Sequence, residues 1–243
     1  MNKKVLPFHY LVVITLTLAG CAGRTMIRKG IDAQHCSLAY LHDSPQATAK
    51  KDAKINIDEI TIVNNLPDSA IVAKKRIIVI PALIFYVWHK NYECYIGKKS
   101  IQEDIPGFVH ESFMEEAQRS GSFQPTKEAG EYKLRITIDT IRTSGAYKVE
   151  GHFIYGGFFY SYRTYQYAGP CDAYLSISYS LEKNGRVIAE NTFAFDKKAT
   201  VLKKRAKGGA NLRKTFTTQM TECISLNIKA AMEKIVEEVN TKI

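Results

Sequence analysis

The stretch Tyr132-Lys133-Leu134-Arg135-Ile136-Thr137-Ile138-Asp139-Thr140-Ile141 decides the fold. Tyr132, Leu134, Ile136, Ile138 and Ile141 alternate with Lys133, Arg135, Thr137, Asp139 and Thr140. A period of two sends the first set to one face of an extended strand and the second set to the other. Such a strand belongs to a sheet covered on one side only. From Ala173 the alternation returns, with Leu175, Ile177, Tyr179 and Leu181 set against Tyr174, Ser176 and Ser178. Asn184-Gly185 follows, a residue pair that accepts the positive φ angles of a two-residue hairpin turn. Val187 to Phe195 then returns antiparallel to the first arm.

Two helices supply the cover. Asp104 caps the first, Pro106 sits in its first turn, and Phe108, Val109, Phe113, Met114 and Ala117 recur at helical spacing until Ser120-Gly121. The second runs from about Thr215 to Val239, with Phe216, Met220, Ile224, Ile228, Ala231, Ile235 and Val239 at steps of three and four. Strands and helices in this order predict an α+β fold: a two-layer sandwich of a mostly antiparallel sheet with two helices on one face. No internal repeat is visible.

Upstream, Ile55, Ile57, Ile60, Ile62 and Val63 form a β-rich segment that Asn64-Asn65-Leu66-Pro67-Asp68 ends. Residues 77 to 88 are almost wholly apolar apart from Pro81. Twelve residues are too few to cross a bilayer as a helix. They read as a buried central strand with its proline at a bulge or edge; the alternative is a membrane-dipping or partner-binding segment. Residues 22 to 54 are polar and without periodicity, and predict a tether that lets the folded part stand off.

The region between the two alternating strands, about residues 147 to 170, is dense in aromatics. Tyr155, Phe158, Tyr160, Tyr162, Tyr165 and Tyr167 lie around Gly156-Gly157. A hairpin turning at the glycines places aromatics on both faces of a ribbon, one packed on helices and the other in need of cover. These six residues are the candidate contact surface for a protein, a lipid or a glycan, because tyrosine joins a large apolar face to a polar tip. The alternative is that they are simply good strand residues. Lys203, Lys204, Arg205 and Lys207 form a basic loop, either solvated or set against anionic lipid. It lacks the glycine spacing and terminal Gly-Lys-Ser/Thr of a nucleotide cradle.

The sequence points away from catalysis. Its histidines are scattered, no Gly-x-Ser-x-Gly elbow occurs, and Glu115-Glu116 and Glu237-Glu238 read as exposed helix surface. We expect no metal, no cofactor and no nucleic-acid partner. Cys36, Cys94, Cys171 and Cys223 allow three disulfide pairings, of which Cys94 with Cys171 or Cys223 is preferred, or else four unpaired thiols.

The amino terminus carries a different kind of information. Lys3 and Lys4 precede an apolar run from Val5 to Leu18, and Leu18-Ala19-Gly20-Cys21 closes it. This resembles the signal peptide and lipobox of bacterial lipoproteins. The resemblance implies cleavage before Cys21 and acylation of that cysteine; two or more chains anchor stably where one does not. Ala22 in place of aspartate implies, by similarity to enterobacterial sorting signals, release to the outer membrane, facing the periplasm. The domain reading is therefore a signal peptide over 1–20, a lipidated tether over 21–54 and a single α+β domain over 55–243. Losing the first 20 of 243 residues leaves 223, and losing Lys3 and Lys4 takes the net charge from +10 to +8. A basic exported chain suits anionic lipid.

Behind the lipobox, the helix from Pro106 to Gly121, the strand from Tyr132 to Thr143, the Asn184-Gly185 hairpin and the final helix resemble the lipopolysaccharide-assembly lipoprotein and the ABC-transport auxiliary lipoproteins. The aromatic stretch departs from that pattern. The resemblance implies a non-enzymatic accessory of envelope transport or assembly, tethered by Cys21. Its partner would be an integral outer-membrane protein or an ABC-transporter component. A glycan- or lipid-binding lipoprotein and a homo-oligomeric structural lipoprotein are the competing classes.

Overall fold

The computed structural model describes residues 23–41, 53–81, 85–126, 128, 130–156, 159–205 and 209–243. It is an α+β protein whose nine described strands form one sheet. Residues 23–32 form helix α1. The strands are β1 (Lys54–Ile57), β2 (Thr61–Asn64), β3 (Ile71–Pro81), β4 (Phe85–Tyr95), β5 (Gln124–Thr126), β6 (Tyr132–Gly156), β7 (Phe159–Lys183), β8 (Arg186–Ala199) and β9 (Leu202–Arg205); α2 (Ile105–Ser120) and α3 (Gly209–Lys242) complete the chain.

The alternating stretch is the start of β6, which runs for 25 residues and pairs antiparallel with the equally long β7. Leu134, Ile136, Ile138, Leu175, Ile177 and Leu181 are buried on its inner face. Asp104 caps α2 by accepting a hydrogen bond from the Gly107 N–H at 3.1 Å, and α2 buries Val109, Phe113 and Ala117. Helix α3 is longer than its periodicity predicts and lays Phe216, Met220, Ile224, Ile228 and Ile235 on the sheet. Asn184 and Gly185 have φ of 48° and 77°, the left-handed pair that a tight hairpin requires. The first β-rich segment splits into β1 and β2, both parallel to β6.

Five expectations need correction. The 22–54 tether is not free over residues 23–41: Ile27, Ile31 and Leu38 are buried in the common core, and Tyr40 donates a 2.9 Å hydrogen bond to Glu116 of α2. Apolar residues four apart on α1 explain this, a helical signal too short to stand out among polar neighbours. Glu116 is itself buried, not surface, and takes a second hydrogen bond from Ser120; Glu238 likewise accepts from Tyr179 at 2.6 Å.

Residues 77 to 88 are not a buried central strand. Pro81 ends β3, β4 begins at Phe85, and the two strands pair as a hairpin in which Ile80 and Phe85 are exposed. Nor is there a disulfide among the described cysteines. Cys94, Gly145 and Cys171 lie side by side on β4, β6 and β7, so two strand spacings, about 10 Å, separate the cysteine Cα atoms, too far to bridge. Finally, Lys203, Lys204 and Arg205 are not in a loop; they lie on β9, paired with Tyr165–Ala168 of β7.

Candidate functional site

The helices cover only part of the long hairpin. Tyr147 of β6 is the last fully buried large side chain; its ring meets Phe216 of α3 edge-on at 5.8 Å, and its hydroxyl bonds to Gln166 of β7. Gly209, which opens α3, lies against that same Gln166. Beyond this row β6 continues for nine residues, 148–156, about 30 Å at strand rise. The second hairpin, β3 with β4, runs out beside it in the order β3-β4-β6-β7. The result is a four-stranded arm that leaves the helix-covered body.

Register assigns its faces. Pro81, Tyr86, Phe153 and Tyr162 form one cross-strand row, and Val79, Trp88, Gly151 and Thr164 form another on the same face. This face continues from the one the helices cover. Trp88 lies across β6 because Gly151 has no side chain: a Cβ there would come within 2.4 Å of the indole. The indole ring sits 5.7 Å from Tyr162 and 5.7 Å from Tyr86, a three-ring cluster from β4 and β7 that reaches across β6. Burial raises the Tyr86 hydroxyl above its ordinary range. The opposite face presents Ile80, Phe85, Ile154 and Phe159 near the tip, with His89 and Glu150 approaching at 3.6 Å further down.

Of the predicted contact residues, Tyr160 and Tyr162 are 76% and 62% exposed and share the Trp88 face. Tyr165 and Tyr167 are half-buried on the other face, opposite Glu150 and Lys148. Tyr155 pairs with Tyr160 across the hairpin, and Phe158 lies outside the described residues. The glycine turn stands where it was expected, since β6 ends at Gly156. Neither face of the ribbon packs on a helix out here, which corrects the expectation of one covered face. Phe153 of the aromatic stretch joins the site, and Trp88, Tyr86, Phe85 and Ile80 belong to it and were missed. Their signal was the apolar run from 77 to 88, whose absence of alternation we attributed to burial.

The arm is basic. Residues 74–92, 147–167 and 202–205 hold nine lysines and arginines (Lys74, Lys75, Arg76, Lys90, Lys148, Arg163, Lys203, Lys204, Arg205) against one acid, Glu150. Lys75 is ion-paired with Glu93 at 2.5 Å at the arm's root. Lys207 and the acylation candidate Cys21 lie outside the described residues.

At the arm's root, Gly23 opens α1 beside Tyr92, and a Cβ there would lie 3.5 Å from the tyrosine hydroxyl. From that point the chain leads away from the arm along α3: Gly30 lies against Arg213, Cys36 is 3.6 Å from Thr218, and the Ala39 N–H donates to Ser225 at 3.1 Å. No cluster of metal-ligating side chains occurs among the described residues, and none of their helices is long and apolar enough to cross a membrane. One open trough among them crosses Thr137, Ser178 and Thr192 on the polar outer face of the sheet.

The fold and site thus define an α+β sheet protein with a projecting aromatic, basic arm. No family model and no curated protein matches the chain. Among solved structures it is similar to the crystal structure of protein XCC0632 from Xanthomonas campestris, described by the family model DUF330, at 10% identity and a TM-score of 0.38, over 85% of this chain and 92% of that one.

Proposed function

We propose that this chain is a lipid-anchored envelope protein, an accessory without catalytic activity that serves transport or assembly at the outer membrane. Acylated Cys21 holds it to the membrane, and the arm is its contact surface. The observation that carries this reading is the arm itself: Phe159, Tyr160 and Tyr162 are each more than 60% exposed on a rigidly paired hairpin. Exposed aromatics gathered at one end of a molecule mark an interaction site rather than a core.

A homo-oligomeric assembly is the second reading, favoured by β8, which among the described strands pairs only with β7 along its 14 residues. One experiment separates the two. Crosslinking in intact cells, followed by purification of the tagged protein from solubilised membranes, recovers an integral barrel protein or transporter component under the first reading. A large particle of this chain alone belongs to the second. Radiolabelled palmitate incorporation that survives Cys21→Ser would overturn the anchoring step.

A further inference from the structure

We propose that the tip of the arm inserts into the interfacial layer of an anionic phospholipid bilayer, beside the point where the chain is anchored. The occupant is a membrane, because both faces of the tip are apolar. Phe153, Tyr160, Tyr162 and Val79 lie on one face and Ile80, Phe85, Ile154 and Phe159 on the other, all more than a third exposed. A single docked protein covers one face of a ribbon, whereas a lipid layer surrounds both. The last four cross-strand rows, from Phe153 to Gly156 on β6 with their partners, carry no charged residue. They reach about 13 Å, close to the depth of one leaflet's hydrocarbon.

Charge then sets the type of lipid. The basic residues begin at Arg163, directly below that neutral tip, and continue toward the root, with Glu150 as the only acid before Glu93, which pairs with Lys75 at the root. An apolar aromatic end with a basic collar is the pattern of interfacial binding, where each lysine or arginine near an anionic surface contributes about 1 kcal/mol. Open strand edges limit the depth. Beyond Tyr165 the outer edge of β7 has no described partner strand, and unpaired backbone is not tolerated in hydrocarbon, so the arm enters the interface and does not span.

The third line of support rests on the Cys21 reading proposed above. Only Ala22 separates Cys21 from Gly23, a reach of about 7 Å over two chain steps. Gly23 is at the arm's root, and from there the body lies in the opposite direction. An acylated Cys21 therefore brings the bilayer to the arm's side of the molecule.

Trp88 is the sole tryptophan and its ring lies 5.7 Å from that of Tyr162, so its emission reports the arm. The test uses full-length protein purified from membranes and placed on vesicles of equal parts phosphatidylcholine and phosphatidylglycerol, the acyl chains brominated near the headgroup. We expect quenching and a blue shift of Trp88, both reduced in phosphatidylcholine alone and at high salt, and both lost in Tyr160→Ser/Tyr162→Ser with thermal unfolding unchanged. Vesicle-held protein whose Trp88 is unquenched and reached by iodide overturns the proposal. So does a single protein adduct from a photo-crosslinker at Tyr160 combined with unquenched Trp88. Intact mass reports acylation separately: if Cys21 carries no lipid, quenching on added vesicles still supports insertion, and its absence still overturns it.

Discussion

The inner and outer halves of one hairpin, β6 with β7, obey different rules. In the inner half, residues 132–147 and 168–183, apolar and polar side chains alternate, and the apolar set is buried on the face that α3 covers. In the outer half alternation fails, because apolar side chains lie on both faces. Hydrogen-bonded pairing continues through both halves apart from local register shifts, so backbone geometry does not cause the difference. What changes is the medium on each face. Alternation means two media, protein on one side and water on the other; its loss means one medium on both.

The sharpest way to break this comparison is to truncate each half. Ile177→Ala, in the buried row, should cost about 2–5 kcal/mol of unfolding free energy by chemical denaturation, as lost transfer energy adds to a cavity. A cost near zero would mean that the inner half is not a packed core. Gly151→Ala comes next. The added methyl must displace the Trp88 ring, and overpacking costs about 1–3 kcal/mol. We expect altered Trp88 emission with the body's secondary structure intact, and unchanged emission would contradict the Trp88–Gly151 contact.

The buried thiols sharpen the comparison from the side of pH. Burial pushes Cys94 and Cys171 up from 9.0 to about 12. A folded state that keeps its protons longer than the unfolded chain is stabilised fully below the unfolded value and loses that contribution as pH rises from about 9 toward 12. We therefore expect melting temperature to fall across that window. At pH 8, iodoacetamide should modify half-buried Cys36 well before Cys94 and Cys171. The smallest effect belongs to the tip: Tyr160→Ser/Tyr162→Ser should change unfolding free energy by no more than about 0.5 kcal/mol. A larger loss would place these rings in the fold's own stabilisation rather than at a contact surface.

Legibility followed locality. Asp104 and Pro106 announce the start of α2, Asn184-Gly185 announces the β7–β8 turn, and Gly156-Gly157 announces the arm's turn, because each signal lies within a few residues of the structure it determines. Two features were not legible. The segment that carries Ile27 and Ile31 offers little to read until Arg213, Thr218 and Ser225 of α3 line up beside its Gly30, Cys36 and Ala39, nearly two hundred residues later. The apolar run from 77 to 88 has the composition of a strand buried on both faces, and also that of a ribbon meant for lipid on both faces. Composition cannot separate these. Half of the candidate site was readable as an aromatic cluster; the other half, with Trp88 and Phe85, arrives from a hairpin about sixty residues earlier.

By itself the sequence determined the α+β class, the two covering helices, the hairpin turns and the aromatic character of residues 147–170, since periodicity, capping and turn chemistry act through neighbours. Only the tertiary structure decided that the two hairpins join into one arm, that the helices stop at Gln166, that three thiols lie in the core without a bridge, and that the chain enters the body at the arm's root. Those facts depend on register across strands and on where a helix ends, and both are set by burial of the whole core rather than by any short segment of chain.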